Sequence, residues 1–181
     1  MNNTLIQQAY DYGFTYEKTY RGCAQCTVAA VQDALSIQND VVFRAASSLA
    51  SGGGLLCCGS CGGFSGGSMM ISLIFGRRRA FFDSDDDFKY TSFRLTRELQ
   101  EKIEEKYKSV ICKEIHQEIF GRTYDLLDTD DKKQFNEDGA HTDKCTGVVA
   151  DASAWTVEII LREAEKRGMS LEDLQKAGQS S

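Results

Sequence analysis

The sequence predicts an all-α protein, a single-domain helical bundle of about six to seven helices with a glycine- and cysteine-rich loop. Apolar residues recur at three- and four-residue spacing through most of the 181 residues. Proline, the commonest interruption of helices, is absent. No segment reads as a strand.

Leu5, Ile6, Ala9, Tyr10 and Phe14 mark one apolar face of a first helix. A second begins near Gly22 and runs through CAQCTVAAVQDALSI. Asn39 or Asp40 caps a third, VVFRAASSLA, which dies in Ser51-Gly52-Gly53-Gly54. The stretch LLCCGSCGGFSG follows, then a helix through SMMISLIF ending at Gly76. Arg77, Arg78 and Arg79 suit its C-terminus. An acidic run leads into a long helix over residues 88–108, carrying Tyr90, Phe93, Leu95, Leu99, Ile103 and Tyr107. Core packing accounts for that stripe better than a dimer or redox-partner interface does. Ser109 caps ICKEIHQEIF, which stops at Gly121; residues 122–141 are polar, acidic and read as a loop with at most one helical turn. Thr142 or Asp143 caps a long helix closed by Gly168, and a short helix over SLEDLQKA precedes a frayed tail within residues 169–181. No repeat or second domain is visible.

The net charge of −6 argues against a general nucleic-acid grip, which needs a basic face. No apolar run approaches the ~20 residues that cross a bilayer. The opening MNNTLIQQAY carries neither a basic nor an apolar leader region, so the expected compartment is the cytoplasm, where thiols stay reduced.

Several motifs fail on inspection. A phosphate loop needs Gly-Lys before Ser or Thr, and no lysine lies between Lys18 and Lys89. Asp83, Asp85 and Asp87 imitate a calcium loop, but Phe88 and Arg94 stand where glycine and glutamate are required. Neither CAQC nor CGSC precedes histidine, which excludes covalent c-type haem. With only His116 and His141 present, a histidine-rich metal site is not expected, and His116 reads as a core or solvated residue.

The seven cysteines carry the chemistry. Cys23, Cys61, Cys112 and Cys145 each fall within a turn of a predicted helix N-terminus, where free N–H groups and the helix dipole stabilise thiolates. Their neighbouring apolar stripes place all four toward one core, so the sulfurs can converge near one end of the bundle. Four anionic sulfurs there would repel and be costly to desolvate; an iron or zinc core resolves that cost, and the alternatives are that the thiols stay partly protonated or pair as disulfides. Gly59, Gly62, Gly63 and Gly66 let the backbone approach the cofactor and offer N–H donors to sulfur. A competing set pairs Cys23 and Cys26 with Cys58 and Cys61 as CxxC…CxxC. Only the first set explains Cys112 and Cys145; Cys26, Cys57 and Cys58 are possible additional ligands.

The blocks GCAQCTVAA, CGGFSGG, ICKEI and KCTGVVADAS resemble the C_GCAxxG_C_C family of redox-active proteins, over roughly residues 20–165. The resemblance places Cys23, Cys61, Cys112 and Cys145 at the family's four cysteine positions and its CGAxxG element on residues 61–66, with Gly63 replacing alanine. It implies a redox role, often beside oxidoreductase and transport genes, in mostly anaerobic microbes. A related domain accompanies split-Soret cytochromes, where an iron–sulfur centre is proposed, and this favours iron over zinc.

The expected function is therefore a redox protein binding a [4Fe-4S] or [2Fe-2S] cluster, for electron transfer or redox sensing. Its partners would be a redox protein or oxidoreductase, with a homodimer possible. The alternatives are a metal-free thiol–disulfide protein working through CAQC or CGSC, and a structural zinc protein. No Ser/His/Asp grouping or carboxylate pair supports a free-standing enzyme.

Overall fold

Five helices make the bundle: α1 (Asn2–Thr19), α2 (Cys23–Leu35), α4 (Gly62–Phe75), α5 (Asp87–Tyr107) and α8 (Cys145–Lys166). The computed structural model describes residues 2–83 and 87–179. Helix α8 touches the other four and is buried on almost every side, as a helix apolar around most of its circumference must be. Its Val148, Val157, Ile159 and Ile160 meet Leu95, Leu99 and Ile103 of α5 and Met70, Ile71 and Phe75 of α4 in one core.

Small residues set how closely the helices approach. A Cβ on Gly13 of α1 would lie 2.7 Å from Ser153 Oγ and 3.0 Å from the Val149 carbonyl of α8. One on Gly66 of α4 would lie 2.5 Å from the Ala24 carbonyl of α2. These contacts leave no room for a side chain, so the inner face of the bundle is built on glycine and alanine.

The shorter helices are α3 (Asp40–Ala45), α6 (Cys112–Phe120), α7 (Thr129–Glu137) and α9 (Leu171–Gln179). The all-α reading holds, with nine α-helices among the described residues rather than six to seven. Residues 122–141 hold a nine-residue helix, α7, where a loop was expected. Asp128 caps it by accepting from the amides of Asp130 and Asp131, and Phe135 is its one buried side chain. A single anchor leaves no apolar periodicity to read. Asn39 caps α3 as expected, accepting from Val42 N at 3.0 Å. That helix then gives way to a 3-10 turn over Ser47–Gly52 instead of continuing.

Neither Thr142 nor Asp143 caps α8. A π turn over Ala140–Lys144, entered from Gly139 in the left-handed region, leads directly into it. Ser109 accepts from Ile111 N at 2.9 Å and bonds Glu114, just upstream of the α6 start. The expected C-terminal helix is present as α9 and is docked, since Leu174 is buried and Asn39 Nδ2 donates to the Gly178 carbonyl at 2.9 Å; the tail residues Ser180 and Ser181 lie outside the described residues. On α5, Leu95, Leu99, Ile103 and Tyr107 are core, while Tyr90 and Phe93 face outward. Asp85, weighed above in a calcium loop, lies outside the described residues. No helix among those residues is long and apolar enough to cross a membrane.

Candidate metal centre

The glycine- and cysteine-rich loop folds back on itself before α4. Ser51, Leu55 and Cys57 adopt positive φ of 49°, 66° and 57°, and Cys57 N donates to the Ser51 carbonyl at 2.8 Å. The loop is strapped to the chain entering α6 by three backbone bonds: Cys61 N to Val110 O at 2.7 Å, Cys112 N to Gly59 O at 3.0 Å, and Lys113 N to Cys57 O at 2.8 Å. This strap holds Cys57, Cys61 and Cys112 in fixed relation. Cys23 and Cys145 are the first residues of α2 and α8, and Cys61 caps α4.

The four cysteines meet. Cys23, Cys61, Cys112 and Cys145 line one cavity at the end of the bundle, together with Glu17, His116, Phe135 and His141. The cavity lies at the seam between the main core, which includes Cys61, and a second cluster. That cluster joins Cys57 and Cys112 to Tyr124, Leu126, Phe135 and Ala140. Residues 120–141 thus form an aromatic cover over the thiols, a role the loop reading missed. Gly62 sits against Cys23: a Cβ there would fall well under 3.0 Å from Cys23 Sγ and 2.6 Å from Ala24 N. Ser51 N donates to Cys23 Sγ at 3.3 Å. The amide of Gly62 also reaches Cys23, and those of Gly63 and Phe64 reach Cys61. Gly59 packs on the Gly52 carbonyl, and Gly66 serves the α2 contact.

The remaining cysteines part company. Cys26 donates to the Arg21 carbonyl at 3.2 Å and lines a separate cavity with Tyr16, Tyr20 and Asp33. Cys58 is exposed. The CxxC partners of Cys23 and Cys61 therefore do not share the central cavity. Cys57 is buried beside Cys112. With His116 these two form, among the described residues, the one group of three candidate ligands whose atoms lie within 4.8 Å of one another.

Burial governs the thiols' ionisation. It pushes Cys23 and Cys145 well up, reinforced by the charges of Glu17 and Cys61. Cys61 is pushed up to about 11, the amides of Gly63 and Phe64 only partly opposing the desolvation. The side-chain contact between Cys57 and Cys112 raises Cys112 and lowers Cys57. The expectation that helix N-termini would keep these thiols ionised is corrected. A dipole contributes roughly 0.3–1 kcal/mol, against several for desolvating a charge. A bound cation must displace the protons, so metal affinity will rise with pH.

Three buried polar groups around the cavity point the same way. Glu17 Oε2, His116 Nδ1 and His141 Nδ1 have no hydrogen-bond partner, and Glu17 approaches His141 at 3.5 Å. A buried carboxylate beside soft sulfur donors fits a metal centre. Sequence reasoning missed Glu17, although it continues the Ala9, Gly13 line at four-residue steps along the buried face of α1.

Burial also lowers the His116 pKa from 6.5 to about 4. Between those values the unfolded chain binds a proton that the folded chain refuses, so stability present above pH 6.5 is lost as pH falls toward 4. His116→Phe, packed among Phe120, Tyr124 and Phe135, is expected to remove this part of the acid sensitivity of metal-free protein. Denaturant unfolding at about pH 7 and about pH 5 measures it, and an unchanged difference would refute it.

The geometry agrees with comparison to known proteins. The family model described as "Putative redox-active protein (C_GCAxxG_C_C)" matches residues 22–159, a span holding all seven cysteines. Comparison with curated proteins and with solved structures yields no match. The chain belongs to the C_GCAxxG_C_C family.

Proposed function

We propose that the protein is an electron carrier or redox sensor whose Cys23, Cys61, Cys112 and Cys145 hold an iron–sulfur centre. The observation that carries this is the meeting of four thiols, from four separate helix starts, on one buried cavity. Their spacing favours a cluster over a single zinc. No three of these four sulfurs lie within 4.8 Å of one another, whereas four sulfurs bound at about 2.3 Å around one ion sit about 3.8 Å apart. A cluster distributes its cysteines over several irons.

Such a centre supplies one-electron oxidation and reduction. The chain's own residues would tune it. Amides at Ser51 and Gly62 on Cys23, and at Gly63 and Phe64 on Cys61, stabilise negative charge on sulfur. Phe135 and the aromatic cover keep water away from the thiols. Electrons would pass to a redox protein or oxidoreductase in the cytoplasm.

Protein purified without oxygen is expected to be brown, with broad visible absorption and matched iron and acid-labile sulfide. A colourless preparation holding stoichiometric zinc, or no metal and a reversible disulfide, would overturn the proposal.

A further inference from the structure

The group Cys57, Cys112 and His116 is tighter than the four-cysteine set and includes two residues outside it. The geometry points to a second ligand set: these three side chains bind a single borderline-soft divalent cation, of the zinc or cobalt class, with a fourth position open to water or an added thiol. The inference uses different donors from the centre proposed above and shares only Cys112 with it.

Distance is the first argument. Cys112 Sγ and His116 Nε2 are 3.5 Å apart. Bonds of about 2.3 Å to sulfur and about 2.1 Å to nitrogen, at tetrahedral angles, put two ligand atoms of one metal about 3.6 Å apart. The side chains thus already stand at the separation a shared ion requires. The i, i+4 spacing on α6 sets it, and the Lys113 N to Cys57 O bond at 2.8 Å brings the third donor alongside.

Unmet bonding is the second argument. His116 is 2% exposed, its Nε2 faces only a thiol, and its Nδ1 has no partner. A buried imidazole normally serves both nitrogens. Charge is the third. Two thiols release their protons to solvent as the ion binds, and two thiolates with a neutral imidazole neutralise a dication. The complex carries no net charge into walls made of Phe120, Tyr124 and Phe135. Three protein donors are the pattern of sites that keep an exchangeable position.

The test is titration of reduced, metal-free, full-length protein with cobalt(II) under anaerobic conditions. One equivalent is expected to give thiolate-to-cobalt charge transfer and tetrahedral ligand-field bands, displaced by zinc. Cys57→Ser and His116→Gln should each weaken this binding beyond the roughly 100-fold that loss of an outer-sphere partner costs. Cys26→Ser and Cys58→Ser, which lie outside both ligand sets, should leave it within about threefold. Binding that survives both Cys57→Ser and His116→Gln would overturn the inference. X-ray absorption of zinc-loaded wild type decides it without any variant: two sulfurs with imidazole scattering support it, and four sulfurs without imidazole sink it. An iron-free native preparation would defeat the cluster reading and leave this one standing.

Discussion

Replacing Gly62 with alanine is expected to destabilise the protein by about 3 kcal/mol and to prevent assembly of the proposed iron–sulfur centre. The new methyl group would meet Cys23 Sγ well under 3.0 Å away and Ala24 N at 2.6 Å. A side chain can rotate aside, but a backbone amide in the first turn of α2 cannot. The strain must therefore separate α2 from α4, the pair that carries Cys23 and Cys61. Gly147→Ala is the control. It lies in the first turn of α8 with nothing within 4 Å of its Cβ position, so it should be neutral or stabilising by about 0.5 kcal/mol. Chemical unfolding and iron content, measured on both variants, separate packing from glycine loss as such. A Gly62→Ala protein with wild-type stability would show that this contact does not set the helix spacing.

Cys61→Ala and Cys145→Ala are each expected to abolish the visible absorption of anaerobically purified protein, whereas Cys26→Ala weakens it at most. The two sets of residues differ in place rather than in chemistry. Cys61 and Cys145 line the central cavity, where removing one thiolate would leave an iron of the proposed cluster open and the remaining charges unbalanced. Cys26 belongs to the cavity beside Tyr16 and Tyr20, and it feels the centre through its neighbours Glu17 and Cys23 without lining it. Retention of full iron and sulfide by the Cys145 variant would exclude the four-cysteine arrangement.

Much of this was readable in the chain because helical periodicity is a local signal. The apolar stripe of α8 and the glycine stops after α4, α6 and α8 needed no tertiary information. Convergence of the four cysteines was also legible, since each stood at the start of an apolar helix face. What the sequence hid depends on contacts between distant segments. The CxxC spacing of Cys23 with Cys26 says nothing about which sulfur faces which side of α2. Glu17 is a charged residue on an otherwise apolar line, and only packing against α8 makes it interior. Helix α7 is held by Asp128 at its start and Phe135 beneath it, too few marks to stand out from a polar loop. The ionisation of the thiols was misjudged because a helix terminus can be identified in a sequence and the depth of burial cannot.

The aromatic cover has a bearing on maturation. It is encoded between Cys112 and Cys145, so the ribosome releases it before the last of the four cysteines, and it rests on few apolar anchors: Phe120, Tyr124, Leu126, Phe135 and Ala140. Segments so thinly anchored detach more readily than the body of a fold. Loading and loss of an inorganic guest should accordingly be limited by the lifting of this flap, and extraction by a chelator would follow its opening frequency rather than the melting of the bundle beneath.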